Sequence, residues 1–188
     1  MTFWNWRRGG AGGGGSATAG AAALANGPDL APIELYTVDT RVVGWIASKG
    51  QRVTDLLLAS EELRLWQPTA GGNDLALRPV LDKNGEWRTV ATADVVLIMP
   101  PEWRTNRQLR LHRRIQRVAA DAGPFTVTGN LHLPPGAPFP EPYQMADFIP
   151  LTEAHMLHHG EPAFEHVVSV VIVNAAHVTR LVPLVSLA

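Results

Sequence analysis

Apolar and polar positions alternate through most of the chain beyond residue 31, the mark of half-buried β-strands. Ile33–Thr37 (IELYT) alternates, Val38-Asp39-Thr40 turns the chain, and Arg41–Ala47 (RVVGWIA) reads as the return strand. Gly44 inside that strand predicts a bulge or sharp bend. After a turn at Lys49-Gly50, the spacing of Val53, Leu56, Leu57 and Leu63 fits a short helix ahead of a strand at Leu63–Gln67. Leu75–Leu81 and Glu86–Ala91 flank Asp82-Lys83-Asn84-Gly85, and Asn-Gly between strand-like runs signals a hairpin. Val95–Met99 (VVLIM), closed by Pro100-Pro101, reads as a buried strand, as does Val167–Val173 (VVSVVIV). Both fall far short of the roughly 20 apolar residues that span a bilayer.

The second half of the pattern echoes the first. Setting Gly129 against Gly44 aligns Val118–Leu131 with Ile33–Ile46 without a gap, each strand, turn, strand. Met145–Ile149 then echoes Val53–Leu57 after a longer loop, PPGAPFPEP, and Val170–Val178 (VVIVNAAHV) echoes Val95–Trp103 (VVLIMPPEW). Three matched blocks in order point to an internal duplication. Each copy would be a strongly bent antiparallel sheet of about five strands, protecting its edges by curling into a barrel or by pairing with its sibling.

The glycine-containing second strand, Arg-Val-Thr-Asp-Leu-Leu at Arg52–Leu57 and the Leu-rich strand that follows resemble a bacterial family of small domains with an Sm-like β-barrel. The resemblance covers residues 33–66 best and 118–178 loosely; in the second copy prolines replace the Arg-Val-Thr segment. It implies a fold and no assigned activity. Sm-like barrels often bind RNA or assemble into rings, but the motif carries no RNA-contact residue to transfer.

Composition narrows the classes. The chain has 188 residues, 46% apolar and 18% charged, with net charge −1, as expected of a globular protein. It contains no cysteine, which excludes disulfides, thiolate zinc sites and cysteine nucleophiles. Residues 1–30 hold a Gly/Ala-rich tract that reads as a disordered tether. Ahead of that tract, Phe3, Trp4, Trp6, Arg7 and Arg8 suit a short docking anchor for a membrane surface or a protein groove. The remaining tryptophans, Trp45, Trp66, Trp87 and Trp103, all lie in the first half. Exposed together they would mark a protein-binding surface; buried, they fill the interior.

Basic charge is local. Arg104, Arg107, Arg110, Arg113, Arg114 and Arg117 fall within fourteen residues that hold no acid, whereas residues 118–188 carry six acids and one base, Arg180. Guanidinium groups suit phosphate or carboxylate forks, so an anionic partner is one expectation. No aromatic residue is interleaved, which removes base stacking on this segment. The competing expectation is a solvated connector paired with acids such as Glu61, Glu62 and Asp121.

His155, His158, His159 and His166 lie close together with Glu153 and Glu165. His155 and His159 have the i, i+4 spacing of a helical metal site, but Pro150 and Pro162 bracket the segment and the duplication places strand and loop there. No Gly-x-Ser-x-Gly, Walker or Rossmann fingerprint occurs. Asp55 and Asp147, at matching places of the two copies, read as cap or turn acceptors.

The sequence therefore predicts a mainly β protein of two tandem small Sm-like antiparallel modules with one or two short helices. The divisions are a tether at 1–30, a first module at 31–103, an Arg-rich connector at 104–111 and a second module at 112–188. The expected role is a non-enzymatic binding or assembly module without a cofactor, acting through the connector and the aromatic tether on a protein partner or on itself. It is expected in the bacterial cytoplasm, at most peripheral to a membrane or an assembly. The alternatives are an RNA- or nucleotide-binding barrel using the same arginines, and a metal-dependent enzyme at the histidine cluster.

Overall fold

The structure is a computed structural model and describes residues 30–48, 50–68, 85–101, 113–140 and 146–184. The expectations for the 1–29 tether, the Leu75–Leu81 strand with its turn up to Asn84, Trp103 and the 104–111 connector lie outside these residues.

The described chain is mainly β. In the first half, β1 (Leu30–Tyr36) and β2 (Arg41–Ala47) form a hairpin, followed by α1 (Val53–Ala59), β3 (Glu62–Pro68) and β4 (Gly85–Ala91). A 3-10 turn, Thr92–Asp94, leads into β5 (Leu97–Met99). The second half runs β6 (Arg114–Ala122), β7 (Phe125–Leu133), β8 (Phe148–His158) and β9 (Glu161–Asn174). A second 3-10 turn, Ala175–His177, precedes β10 (Val178–Pro183). The alternation read from the sequence is what builds these strands: in β7, Phe125, Val127, Gly129, Leu131 and Leu133 are buried and the residues between them are not.

All ten strands join one antiparallel sheet in the order β10-β6-β7-β8-β9-β5-β1-β2-β3-β4, and its two end strands do not pair. Within each half the order is the same: fifth strand, first, second, third, fourth. Residue pairings agree as well. Ile33 faces Gly44 across β1–β2 as Val118 faces Gly129 across β6–β7. A Cβ on Gly44 would meet Leu65 Cβ and the Trp66 carbonyl, and one on Gly129 would meet Leu151 Cβ and the Thr152 carbonyl. Thr92 N–H donates to Glu61 O, and Ala175 N–H to Asp147 O. Each 3-10 turn is closed by the residue after it, Val95 onto Thr92 O and Val178 onto Ala175 O.

Two of the sequence alignments are corrected by these correspondences. Val95–Met99 and Val170–Asn174 are not equivalent but partners: Leu97 faces Val173 and Ile98 faces Ile172 where β5 meets β9. Two runs of similar apolar composition attracted each other in the alignment because both are buried on two faces. The second half also has no counterpart of α1 among the described residues. Phe148-Ile149 opens β8 instead, and Pro134–Pro140 lies where a helix cannot form for want of backbone donors.

Two apolar cores result. One is built from the first half (Ile33, Leu35, Val42, Ile46, Leu63, Leu65 and neighbours) and takes in Phe148 and Ile172 from the second. The other gathers Val118, Phe125, Val127, Leu151, Met156 and their neighbours, and takes in Tyr36, Val96 and Leu97 from the first half. Adjacent residues on β5 and on β9 serve different cores. Since successive side chains point to opposite faces of a strand, the two cores lie on opposite faces of the sheet at this joint.

Candidate functional site: the joint and the free edges

The joint between the halves is held by more than its short strand ladder. Besides the β5–β9 ladder, Asn174 N–H donates to Val96 O at 3.0 Å and its side-chain amide to Val95 O at 2.9 Å. The Asn174 side-chain oxygen in turn accepts from Ala176 N–H at 3.0 Å. One buried side chain thus caps the second 3-10 turn while holding the chain that leaves the first. His177 Nε2 lies 2.7 Å from Ala93 O, so that nitrogen carries a proton and ties the two 3-10 turns together. The β6–β7 turn also closes on the first half: a Cβ on Gly123, whose φ is +53°, would meet Val96 and Val38.

An aromatic cluster fills the same seam. Tyr36 meets Phe125 edge-on at 5.3 Å and Phe164 at 5.5 Å, and Phe125 meets His158 at 5.0 Å. Behind the ring, the Tyr36 hydroxyl donates to Glu34 Oε1, which also accepts from Arg41 Nε at 2.5 Å. Burial, then the bond to Glu34, pushes the Tyr36 phenol well above its ordinary range. The hydrogen bond to Glu34 likewise raises the Arg41 guanidinium. The cluster is a closed set of partners with the tyrosine held protonated, which suits positioning and offers no nucleophile.

The outer face of the second half carries polar links between strands. Thr126 Oγ1 donates to Asp121 Oδ1 at 2.8 Å, so His159 Nε2, also 2.8 Å from Thr126 Oγ1, is the donor in that contact. Arg180 Nε donates to Asp121 Oδ2 at 2.7 Å. The Arg180 and Thr126 bonds hold the Asp121 carboxyl below the usual carboxylate range. Arg117 reaches Asn130 Oδ1 and Glu153 O, and Asn130 donates to Glu153 Oε2. Glu153 itself is at φ +48° where β8 bulges against β7.

The residues singled out in the sequence are dispersed. Arg104, Arg107 and Arg110, like Phe3, Trp4, Trp6, Arg7 and Arg8, lie outside the described residues. Arg113 precedes β6, Arg114 and Arg117 lie near its start, and the three donate to the carbonyls of His132, Ala137 and Glu153 respectively. Of the acids expected to pair with the arginines (Glu61, Glu62 and Asp121), Asp121 is taken by Arg180 instead. The histidines do not share a helical face, because the segment is a strand hairpin. His155 pairs with Glu165 at 2.8 Å, His158 packs on Phe125, His159 meets Thr126, and the His166 ring lies tilted against Phe164 with centroids 4.4 Å apart. Among the described residues no three His, Cys, Asp or Glu side chains come together to hold a metal ion. Asp55 sits exposed in the first turn of α1, whose N-cap, Arg52, makes no side-chain cap bond; Asp147 precedes β8 and serves through its carbonyl.

A row of tryptophans was not foreseen. Trp45 faces Trp66 across β2–β3, and Trp66 faces Trp87 across β3–β4. They lie on the face opposite the first core, since Ile46 and Leu65, their chain neighbours, point into it. Trp45 and Trp66 are buried; Trp87, at the outer strand, is 46% exposed with the Arg64 guanidinium 5.3 Å over its ring. The signal available was the even placement of Trp45, Trp66 and Trp87 on three successive strands.

The two outermost strands, β4 and β10, keep one edge unpaired among the described residues. No helix among them is long and apolar enough to cross a membrane. Comparison with protein-family models, with curated proteins and with solved structures found no match.

Proposed function

We propose that this chain is a non-enzymatic binding and assembly module made of two tandem Sm-like units, which works by strand-to-strand pairing along its sheet edges. The observation that carries the reading is the joint itself. Two five-stranded halves of the same strand order are held together through β5 and β9, and the strands that correspond to them, β10 and β4, each keep one backbone edge unpaired among the described residues. Strand addition draws its affinity from main-chain hydrogen bonds and its selectivity from alternate side chains. The resemblance to Sm-like domains supports the same role, as does the closed hydrogen bonding around Tyr36, which suits a scaffold better than a reaction centre.

A peptide copying residues 165–176 should add to the β10 edge, and one copying residues 93–101 to the β4 edge. Hydrogen exchange read by mass spectrometry should show slowed amides confined to the edge strand. No protection of either edge at millimolar peptide would remove the reading.

A second reading is favoured by one feature: among the described residues Arg113, Arg114 and Arg117 meet carbonyl oxygens rather than carboxylates, which supports a role for their charge toward an anion such as an RNA backbone. Affinity for an oligonucleotide should then fall steeply with salt and with replacement of the three arginines by alanine; salt-independent binding would discount it.

A further inference from the structure

We infer that the partner for the two edges left unpaired among the described residues is a second copy of this chain, with β4 of one copy pairing antiparallel with β10 of the next in the register of the internal β9–β5 joint. The inference rests on the edge-pairing reading above and names its partner. The pairings of the sheet fix the correspondence. Asn174 and Ala91 hold the same place, each opposite the first residue of its third strand, Phe148 and Glu62. Leu181 and Ile98 hold the same place, opposite Ala120 and Leu35 on the first strands. Carrying the internal pairs Leu97 with Val173 and Ile98 with Ile172 onto these counterparts sets Arg180 opposite Val90 and Leu181 opposite Thr89. One step further along the ladder, Arg88 falls opposite Val182.

Backbone direction agrees. Asn174 N–H crosses the internal joint to Val96 O, so Ile172, two residues earlier, turns its backbone groups the same way. Its counterpart Thr89 therefore aims N–H and C=O away from β3, into the open edge. The two edges are different surfaces, so their contact is heterologous. It generates a closed ring where the rotation closes, or an open chain where it does not.

The side chains make this contact weaker than the internal one. At the joint, Tyr36 and Leu97 pack into the neighbouring half's core. Their counterparts at the open edge are Asp121 and Arg180, an ion pair at 2.7 Å. On the facing strand, Ile172 is replaced by Thr89 and Val171 by Arg88. Charges on an edge strand act as a brake on pairing, so association is expected to be reversible and concentration-dependent, whereas the internal joint is permanent.

Because the chain has no cysteine, the register can be read by cross-linking. Arg88→Cys and Val182→Cys sit opposite one another in the proposed ladder, close enough for a disulfide. Mixing the two single variants under mild oxidation should give a heterodimer, and the double variant a ladder of linked species. A pattern in which like variants cross-link as readily as the mixture would overturn the register. For the cysteine-free chain, sedimentation velocity should show a weight-average coefficient that rises with concentration. Thr89→Pro removes an outward N–H without touching β3 and should weaken association by about tenfold or more. Asp121→Tyr with Arg180→Leu, which copies the internal joint, should strengthen it. A monomer at all concentrations, with no heterodimer in the mixture, overturns self-pairing. If the edge peptides still bind, edge pairing with another protein survives; if they do not, both readings fall together.

Discussion

Glu34 Oε1 receives two donors at once, the Tyr36 hydroxyl and Arg41 Nε. A buried carboxylate is costly unless such partners replace its water, and both lie within reach because residues two apart on β1 share a face and Arg41 pairs with Tyr36 across the hairpin. The consequence for pH follows from Tyr36. Its phenol titrates above the ordinary value of 10.0 in the folded chain, first through burial and then through Glu34. A raised folded value means that this contribution is intact below about pH 10 and is lost as pH climbs beyond it, when the unfolded tyrosine ionises and the folded one does not. Urea midpoints measured from about pH 9 to about pH 11 should therefore fall less steeply for Tyr36→Phe than for the natural chain. Equal slopes would show that the phenol is not held protonated. Nothing in IELYT alone announced this cluster, because alternation gives the face of a side chain but not the partner that a neighbouring strand brings.

At the scale of elements, Gly44 and Gly129 hold the matching places that the sequence alignment assigned to them. Each lies on a second strand that crosses so near the third that a Cβ would stand 3.0 Å from the Trp66 carbonyl in one case and 2.9 Å from Leu151 Cβ in the other. Backbone and the near end of a side chain cannot swing away. Alanine at either position should cost about 1–3 kcal/mol by overpacking, with similar losses of thermal stability in the two halves; a change near zero at one site would break their correspondence. The sequence marked Gly44 as a bulge or sharp bend, but β1 and β2 pair through it without a register shift, and what the glycine serves is the close approach of β3. The third aligned block was misread, for a physical reason. Val95–Met99 and Val170–Asn174 have the composition of strands buried on both faces, and composition cannot distinguish strands that occupy like places from strands that pair. The histidine segment failed similarly: the i, i+4 spacing of His155 and His159 has meaning only on a helix, whereas His155 lies in β8 and His159 in the turn that follows it. The edges, which carry the functional proposal, were invisible in sequence since they are defined by which strands lack a neighbour.

Taken as a whole, the sheet joins two halves that each complete the other's core. Phe148 and Ile172 reach from the second half into the first core, while Tyr36, Val96 and Leu97 reach from the first into the second. Fully burying an aliphatic or aromatic side chain is worth about 1.5–3 kcal/mol, so these five side chains together account for roughly 7–15 kcal/mol. That is as large as the entire stability of an ordinary domain. Neither half can lose its share and keep a comfortable margin, and the lost side chains would also leave β5 and β9 as open apolar edges. The intact chain should therefore unfold in one transition, with calorimetric and van't Hoff enthalpies equal. Fragments 30–103 and 112–188 made separately should show no cooperative melting, and mixing them should restore it. Two fragments that each melt cooperatively alone would mean that the exchanged side chains are incidental to folding. They would also weaken the case for the open edges, because the internal joint would then be a contact that each half can do without.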